Sequence, residues 1–101
     1  MLISSKNGRS LDNGLRLYND DKSYTDILCA EIPTHSAEVF KASQQGIQSV
    51  RTLVVHSDEY EYQEKCLYDD ICYRIYRYYP MEDGFTELYI GQRVGGAYSG
   101  G

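Results

Sequence analysis

The run Lys65-Cys66-Leu67-Tyr68-Asp69-Asp70-Ile71-Cys72-Tyr73-Arg74-Ile75-Tyr76-Arg77-Tyr78-Tyr79 decides how this chain is read. β-formers fill it, and only Asp69-Asp70 interrupts it. With those two residues as a tight turn, Tyr68 faces Ile71, Leu67 faces Cys72 and Cys66 faces Tyr73. Directly opposed residues lie on the same face of a sheet. One face then carries Cys66, Tyr68, Ile71, Tyr73 and Ile75 and reads as core. The other carries Lys65, Leu67, Cys72, Arg74, Tyr76 and Tyr78 and reads as a tyrosine-and-arginine surface.

Downstream, residues 80–84 read as a turn and residues 85–91 as a strand with Leu88 and Ile90 on one side. Residues 95–101 form a glycine-rich tail, flexible by composition. Upstream, residues 50–56 are β-rich around Leu53-Val54-Val55, and residues 57–63 are an acidic loop. Residues 26–32 alternate as a strand, with Leu28, Ala30 and Ile32 on one face and Ile27, Cys29 and Glu31 on the other. Pro33 ends it, because proline cannot donate to a ladder. Residues 36–45 predict the single helix. Ser36 is its expected N-cap, Glu38 sits in the first turn where the dipole favours an acid, and Gly46 suits the stop. Ala37, Phe40, Ala42 and Val39 make a short apolar stripe. A helix this short must dock on something. In the first 25 residues, Leu15 and Leu17 alternate with Arg16 and Tyr18 before residues 19–23 break the pattern. The expected organisation is therefore an N-terminal arm or hairpin over 1–25, a domain over 26–94 and the tail. The fold class is mainly β: a small barrel or sandwich of five or six antiparallel strands with one short helix or long loop inserted.

Composition bounds the rest. The chain has 101 residues, so one domain is expected. Leu, Ile, Val and Phe supply only 22 residues, whereas Tyr alone supplies 11. Tyrosines must finish the packing, inside the domain or against a neighbouring chain. The formal charge is −5, and the ten basic residues are scattered along the sequence. A nucleic-acid binder usually shows a basic stripe, and an anionic membrane surface is disfavoured for the same reason. The longest apolar run, Ile27-Leu28-Cys29-Ala30, falls far short of the roughly 20 residues that span a bilayer. No membrane partner is expected.

No catalytic residue, metal ligand or cofactor site emerges. Three cysteines without tight spacing fit a reducing compartment better than a disulfide framework. The hairpin register sets Cys66 and Cys72 on opposite faces, which disfavours both a shared metal and a disulfide. Cys29 with His56 lacks any nucleophile signature. Asp58/Glu59 and Glu82/Asp83 lie in predicted turns. The glycines of residues 91–96 are not followed by a helix that would complete a phosphate cradle. The tyrosine–arginine run is left. On a basic domain it would be a base-stacking platform for single strands. On an acidic one, Tyr and Arg are the residues enriched at protein interfaces.

The run from Tyr68 to Tyr78 also resembles the hairpin of the head–tail joining proteins of tailed bacteriophages. Glu87-Leu88-Tyr89-Ile90 is similar to the closing strand of that family, and Val94-Gly95 to the Val-Gly pair beyond that strand. Ala30-Glu31-Ile32, Ser36-Ala37-Glu38-Val39-Phe40 and Gln44-Gln45-Gly46-Ile47 resemble its strand, helix-like insertion and return. The likeness covers about seventy residues, from Asp26 to Gly95. It departs at Asp70, where the family often has glycine, and it does not reach the first 25 residues.

The resemblance implies a virion structural protein, made in the bacterial host cytoplasm and carried in the neck. It implies a small β-barrel forming a twelvefold or sixfold homo-oligomeric ring. A portal or adaptor protein would lie on the head side and a tail terminator or tail tube protein on the tail side. Double-stranded DNA would pass through without specific binding, and no catalytic residue or cofactor belongs to the role. On that reading Arg74, Tyr76 and Tyr78 make subunit contacts. The insertion around Val39, Phe40, Gln44 and Gln45 faces the channel or clasps a neighbour, and the two ends of the chain dock partners. A tail-completion protein of the same neck and a small single-stranded nucleic-acid-binding module using the surface tyrosines are the alternatives.

Overall fold

A computed structural model describes residues 11–93. Six strands and one helix run in the order β1 (Asn13–Tyr18), β2 (Tyr24–Ile32), α1 (Ser36–Gln44), β3 (Ile47–His56), β4 (Lys65–Tyr68), β5 (Ile71–Pro80) and β6 (Phe85–Arg93). The strands close into an antiparallel barrel in the spatial order β1-β2-β3-β6-β5-β4, with β4 returning to β1. The expected barrel with one inserted helix is thus the observed architecture.

The β4–β5 hairpin has the register its sequence implies. Tyr68 opposes Ile71, Leu67 opposes Cys72, Cys66 opposes Tyr73, and Lys65 opposes Arg74. Asp69 and Asp70 both adopt positive φ, at 55° and 62°. A two-residue turn of this kind matches the strand twist, and Asp is one of the few non-glycine residues that tolerates it. Aspartate at position 70 therefore takes the conformation of the glycine expected there.

The domain starts earlier than residue 26. Leu15 and Leu17 point inward and are buried, and β1 pairs with both β2 and β4. Without β1, β2 and β4 would each present an open edge. Within the segment expected as an arm or hairpin, β1 pairs with β2 and is the strand that closes the barrel. The turn after it is held by Asp21, whose Oδ1 accepts from the backbone N–H and the hydroxyl of Ser23. Residues 1–10 and the tail over 95–101 lie outside the described residues.

The interior is filled by Leu15, Leu17, Ile27, Cys29, Leu53, Val55, Cys66, Ile75, Leu88 and Ile90, together with Tyr60, Tyr68 and Tyr73. Each fully buried aliphatic chain contributes on the order of 1.5–3 kcal/mol. Tyrosine does finish the core, as the shortage of aliphatics required, and each inner ring finds a partner for its hydroxyl. Tyr68 donates to Glu31 at 2.9 Å. Arg51 bridges the pair, donating to the Tyr73 hydroxyl at 3.0 Å and to both Glu31 oxygens at 3.0 Å. Glu31 pairs with Leu53 and Arg51 with Ile90, both inward residues, so this ionic group is part of the barrel lining. Ile71, expected in the core, is 38% exposed because it flanks the turn beyond the barrel end.

Candidate functional site

The outer face of β5 and β6 gathers the residues that the sequence singled out. Its shape depends on an irregularity in their pairing. Ile75 opposes Ile90, but Arg77, not Tyr76, opposes Tyr89. One extra residue in β5 is the signature of a β-bulge, which re-aims the side chains after it. Tyr76 and Arg77 both sit on the outer side. Tyr78 then opposes the fully buried Leu88, so it lies on the inner side of the sheet. The expected alternation, with Tyr76 and Tyr78 sharing one surface, is broken there.

Tyr78 continues the core outward past the barrel rim. Its ring lies 5.7 Å from that of Tyr60 and 5.1 Å from that of Tyr62, and Tyr60 and Tyr62 are 5.5 Å apart. Tilted and edge-on geometries of this kind are the preferred ones for aromatic pairs. Tyr60 is buried, and its hydroxyl donates to the carbonyl of Gln63. Burial pushes the Tyr60 hydroxyl up to about 12. Tyr62 and Tyr78 remain exposed, at 65% and 44%. The cluster is therefore a rigid aromatic step, anchored at one end and open at the other.

Tyr76 makes a contact within the chain that the sequence did not indicate. It is half-buried, and its hydroxyl donates to Glu38 of α1 at 2.7 Å. Arg77 donates to the other oxygen of Glu38 at 2.5 Å, and its guanidinium lies 4.1 Å from the centre of the Tyr89 ring. Tyr89 in turn donates to Glu87 at 2.6 Å. Burial alone would raise the Glu38 carboxyl. The bonds from Arg77 and Tyr76, with the nearby charges of Arg77 and Lys41, more than offset it and hold the carboxyl below its ordinary value. Burial and the Glu38 carboxylate together push the Tyr76 hydroxyl up.

This contact decides how the helix lies. The N-cap position is His35 and makes no side-chain cap, so Ser36 is the first helical residue and not the cap. The buried residues of α1 are Glu38 and Ala42, one turn apart. Of the expected apolar stripe only Ala42 is buried: Ala37 is exposed, and Val39 and Phe40 point to solvent, Phe40 at 63% exposure. The helix packs on the outside of the barrel against β3, whose Thr52 and Val54 are buried on that side. The neighbouring surface offers a hydroxyl and a guanidinium from β5, so the carboxylate turns inward and the phenyl ring outward. Gln44 and Gln45 are exposed, and the Gln45 carbonyl accepts from Arg93 at 3.1 Å.

Two adjoining clefts open on this face. One, of about 590 Å³, is lined by Gln45, Ile47, Tyr60, Tyr62, Glu64, Arg74, Tyr76, Arg77, Tyr78 and Arg93 among others. The second, of about 330 Å³, includes Tyr18, Lys65, Cys72, Arg74, Gln92 and Arg93. Arg74 and Arg93 belong to both, so the two form one trough. Lys65, Arg74, Arg77 and Arg93, four of the ten basic residues of the chain, line it. The sequence scatters these residues over 29 positions, and the pairing of β4, β5 and β6 brings them together. Glu64 is the acid at the trough, 3.7 Å from Arg74.

Cys29 and Cys66 are fully buried, and burial pushes both up to about 12. His56, offered as a partner for Cys29, stacks on Phe85 with ring centres 4.9 Å apart. Cys66 and Cys72 lie on opposite faces, one buried and one exposed, as the register implies. Among the described residues no group of three or more His, Cys, Asp or Glu side chains is placed to hold a metal ion, and no helix is long and apolar enough to cross a membrane. No protein-family model, curated protein or solved structure matches the chain.

Proposed function

We propose that this chain is a structural subunit that works through its outer surface: a ring-forming head-closure or head–tail connector protein of a phage neck. The observation that supports it is the distribution of large apolar side chains. The barrel interior is filled and its lining polar groups are paired. Yet Tyr24, Leu28, Val39, Phe40, Tyr62 and Tyr79 are each more than 40% exposed. They sit on several separate parts of the surface, in β2, α1, the loop before β4 and β5. Tyr62 touches Tyr78 at 5.1 Å between ring centres, and Val39 adjoins Phe40 in α1; contiguous exposed apolar groups of this kind, unlike isolated ones, mark docking sites. Separate patches on one small subunit are what a cyclic assembly needs, because a heterologous interface joins two different surfaces. Partner docking above and below the ring uses the remainder.

The fine assignment to the neck rests on the sequence resemblance, with the portal or adaptor on one side and the tail on the other. Mass measurement of the purified chain across a concentration series tests the assembly itself, and electron microscopy of the same sample tests for annular particles. Closed sixfold or twelvefold species are expected. A chain that stays monomeric throughout overturns the reading.

One observation favours a second reading. The larger cleft of the trough places Arg74, Arg77 and Arg93 beside Tyr60, Tyr62, Tyr76 and Tyr78, a combination that also suits a single-stranded nucleic acid. The net charge of −5 opposes it. Binding of a labelled single strand that weakens steeply with salt would support it.

A further inference from the structure

The trough is one half of a complementary pair, and the other half is on the same molecule. The β4–β5 turn presents Asp69 and Asp70 side by side, both exposed. Exposed aliphatic residues accompany them: Ile71 beside the turn and Leu28 on β2. Leu28, Leu67, Asp69 and Asp70 line a shallow cleft of about 570 Å³ at this end of the barrel. That cleft shares no lining residue with the trough. One surface is thus acidic and aliphatic, the other basic and aromatic.

We propose that the acidic β4–β5 tip of one copy docks in the tyrosine–arginine trough of the next copy. This rests on the subunit reading above and names the contact that would join the subunits. Two physical arguments select this occupant. The first is charge. A trough with Lys65, Arg74, Arg77 and Arg93 cannot face its own symmetry mate, because cations would oppose cations, whereas like-charge contacts are penalised and opposite ones favoured. Glu38 and Glu64 offset part of that charge, on Arg77 and Arg74, but a net positive face still disfavours a two-fold dimer and favours a head-to-tail contact. Repeated with a constant rotation, a head-to-tail contact closes into a ring where that rotation divides a full turn and runs into an open filament where it does not. The second argument is stiffness. The tip is a two-residue hairpin turn fixed by the pairing on either side, and the aromatic step is anchored on the buried Tyr60. Little conformational freedom is lost when two such surfaces meet, which favours binding. Two other exposed acids are already engaged: Asp21 is bonded to Ser23, and Asp26 is paired with Arg16 at 2.8 Å.

The test uses two full-length variants. Arg74→Glu alters the trough at an exposed strand position. Asp69→Asn/Asp70→Asn neutralises the tip while keeping the turn, since Asn also tolerates positive φ. Circular dichroism checks that both remain folded. Sedimentation of each alone is expected to show assembly only at concentrations roughly tenfold or more above the wild type. Mixed in equal amounts, the two variants are expected to form heterodimers and nothing larger. The intact tip of the first fits the intact trough of the second, and the remaining ends are blocked. If the wild type assembles and both variants assemble at the same concentration, the tip-in-trough contact is wrong and the ring reading stands. If the wild type never assembles, the ring reading itself fails. Binding of a fluorescent oligothymidine that Arg74→Glu abolishes and the tip variant leaves unchanged would assign the trough to nucleic acid and overturn the proposal.

Discussion

Replacing Tyr76 by Phe removes one hydroxyl and keeps the ring. That hydroxyl donates to a carboxylate which is 8% exposed, 2.7 Å away, on the helix that packs outside the barrel. A hydrogen bond to a charged group is worth about 1.5–3 kcal/mol. Tyr76 is itself half-buried, so the lower part of that range applies, about 1.5 kcal/mol. For a domain of this size, 1 kcal/mol moves the melting midpoint by roughly 4–8 °C, so Tyr76→Phe should melt about 6–12 °C lower at neutral pH. The pH dependence identifies the partner. Glu38 titrates below its ordinary value in the folded chain, so its contribution is present above the unfolded-state value near 4.3 and is lost as pH falls through the folded-state value. Removing the hydroxyl takes away one of the contacts holding Glu38 low. The gap between wild type and Tyr76→Phe should therefore be largest at neutral pH and shrink by about half once falling pH protonates Glu38, when only a neutral bond remains. Asp21 and Asp26 are also held low, by Ser23 and by Arg16, and the difference between the two proteins cancels them. Thermal melts from pH 7 to pH 3 on both proteins make the measurement, with the cycle through Glu38→Gln to isolate the pair. Midpoints within about 1 °C of each other at neutral pH, or a gap that ignores pH, would refute the role given to Glu38.

Packing sets two further outcomes. Gly91→Ala should lower stability by about 1–3 kcal/mol, because a Cβ there would overlap Cγ2 of Ile47 and come within 3.1 Å of the Gln48 carbonyl oxygen; an unchanged urea midpoint would show that β6 and the start of β3 have room between them. Ellman's reagent should label Cys72 alone in the folded chain and all three cysteines after unfolding, because Cys29 and Cys66 are buried and pushed from 9.0 to about 12, which leaves roughly a thousandfold less thiolate. Two fast sites in the native protein would contradict that burial.

The parts of the fold that were legible are those decided between near neighbours. The β4–β5 register is set by one two-residue turn, and a slip by one would have sent Tyr68 and Tyr73 to the outside. The helix and its span were legible from Pro33, Glu38 and Gly46, because start and stop signals are local. Its buried face was not. Hydrophobicity points Phe40 inward, yet the barrel surface beneath offers Tyr76 and Arg77, residues 38 and 39 positions away from Glu38. A helix lying on the polar side of a sheet buries whatever answers that side. The bulge at Tyr76 and Arg77 was equally hidden. Every residue of that run is a good strand former, and only the pairing with Tyr89 shows that one is extra.

The sequence by itself determined that this is a small antiparallel β protein with one inserted helix. It also determined that tyrosine must complete a thin core and that the β4–β5 hairpin separates an inner face from a tyrosine-bearing outer one. Alternation, turn chemistry and composition act over a few residues, so one chain suffices to read them. Tertiary structure alone decided that Leu15 and Leu17 close the barrel against β4, about fifty residues away. It also decided that Tyr76 tethers the helix while Tyr78 joins the aromatic step, and that four separated cations meet in one trough. Each depends on which distant strand lies alongside, and that is fixed by closing the barrel so that no edge is left unpaired.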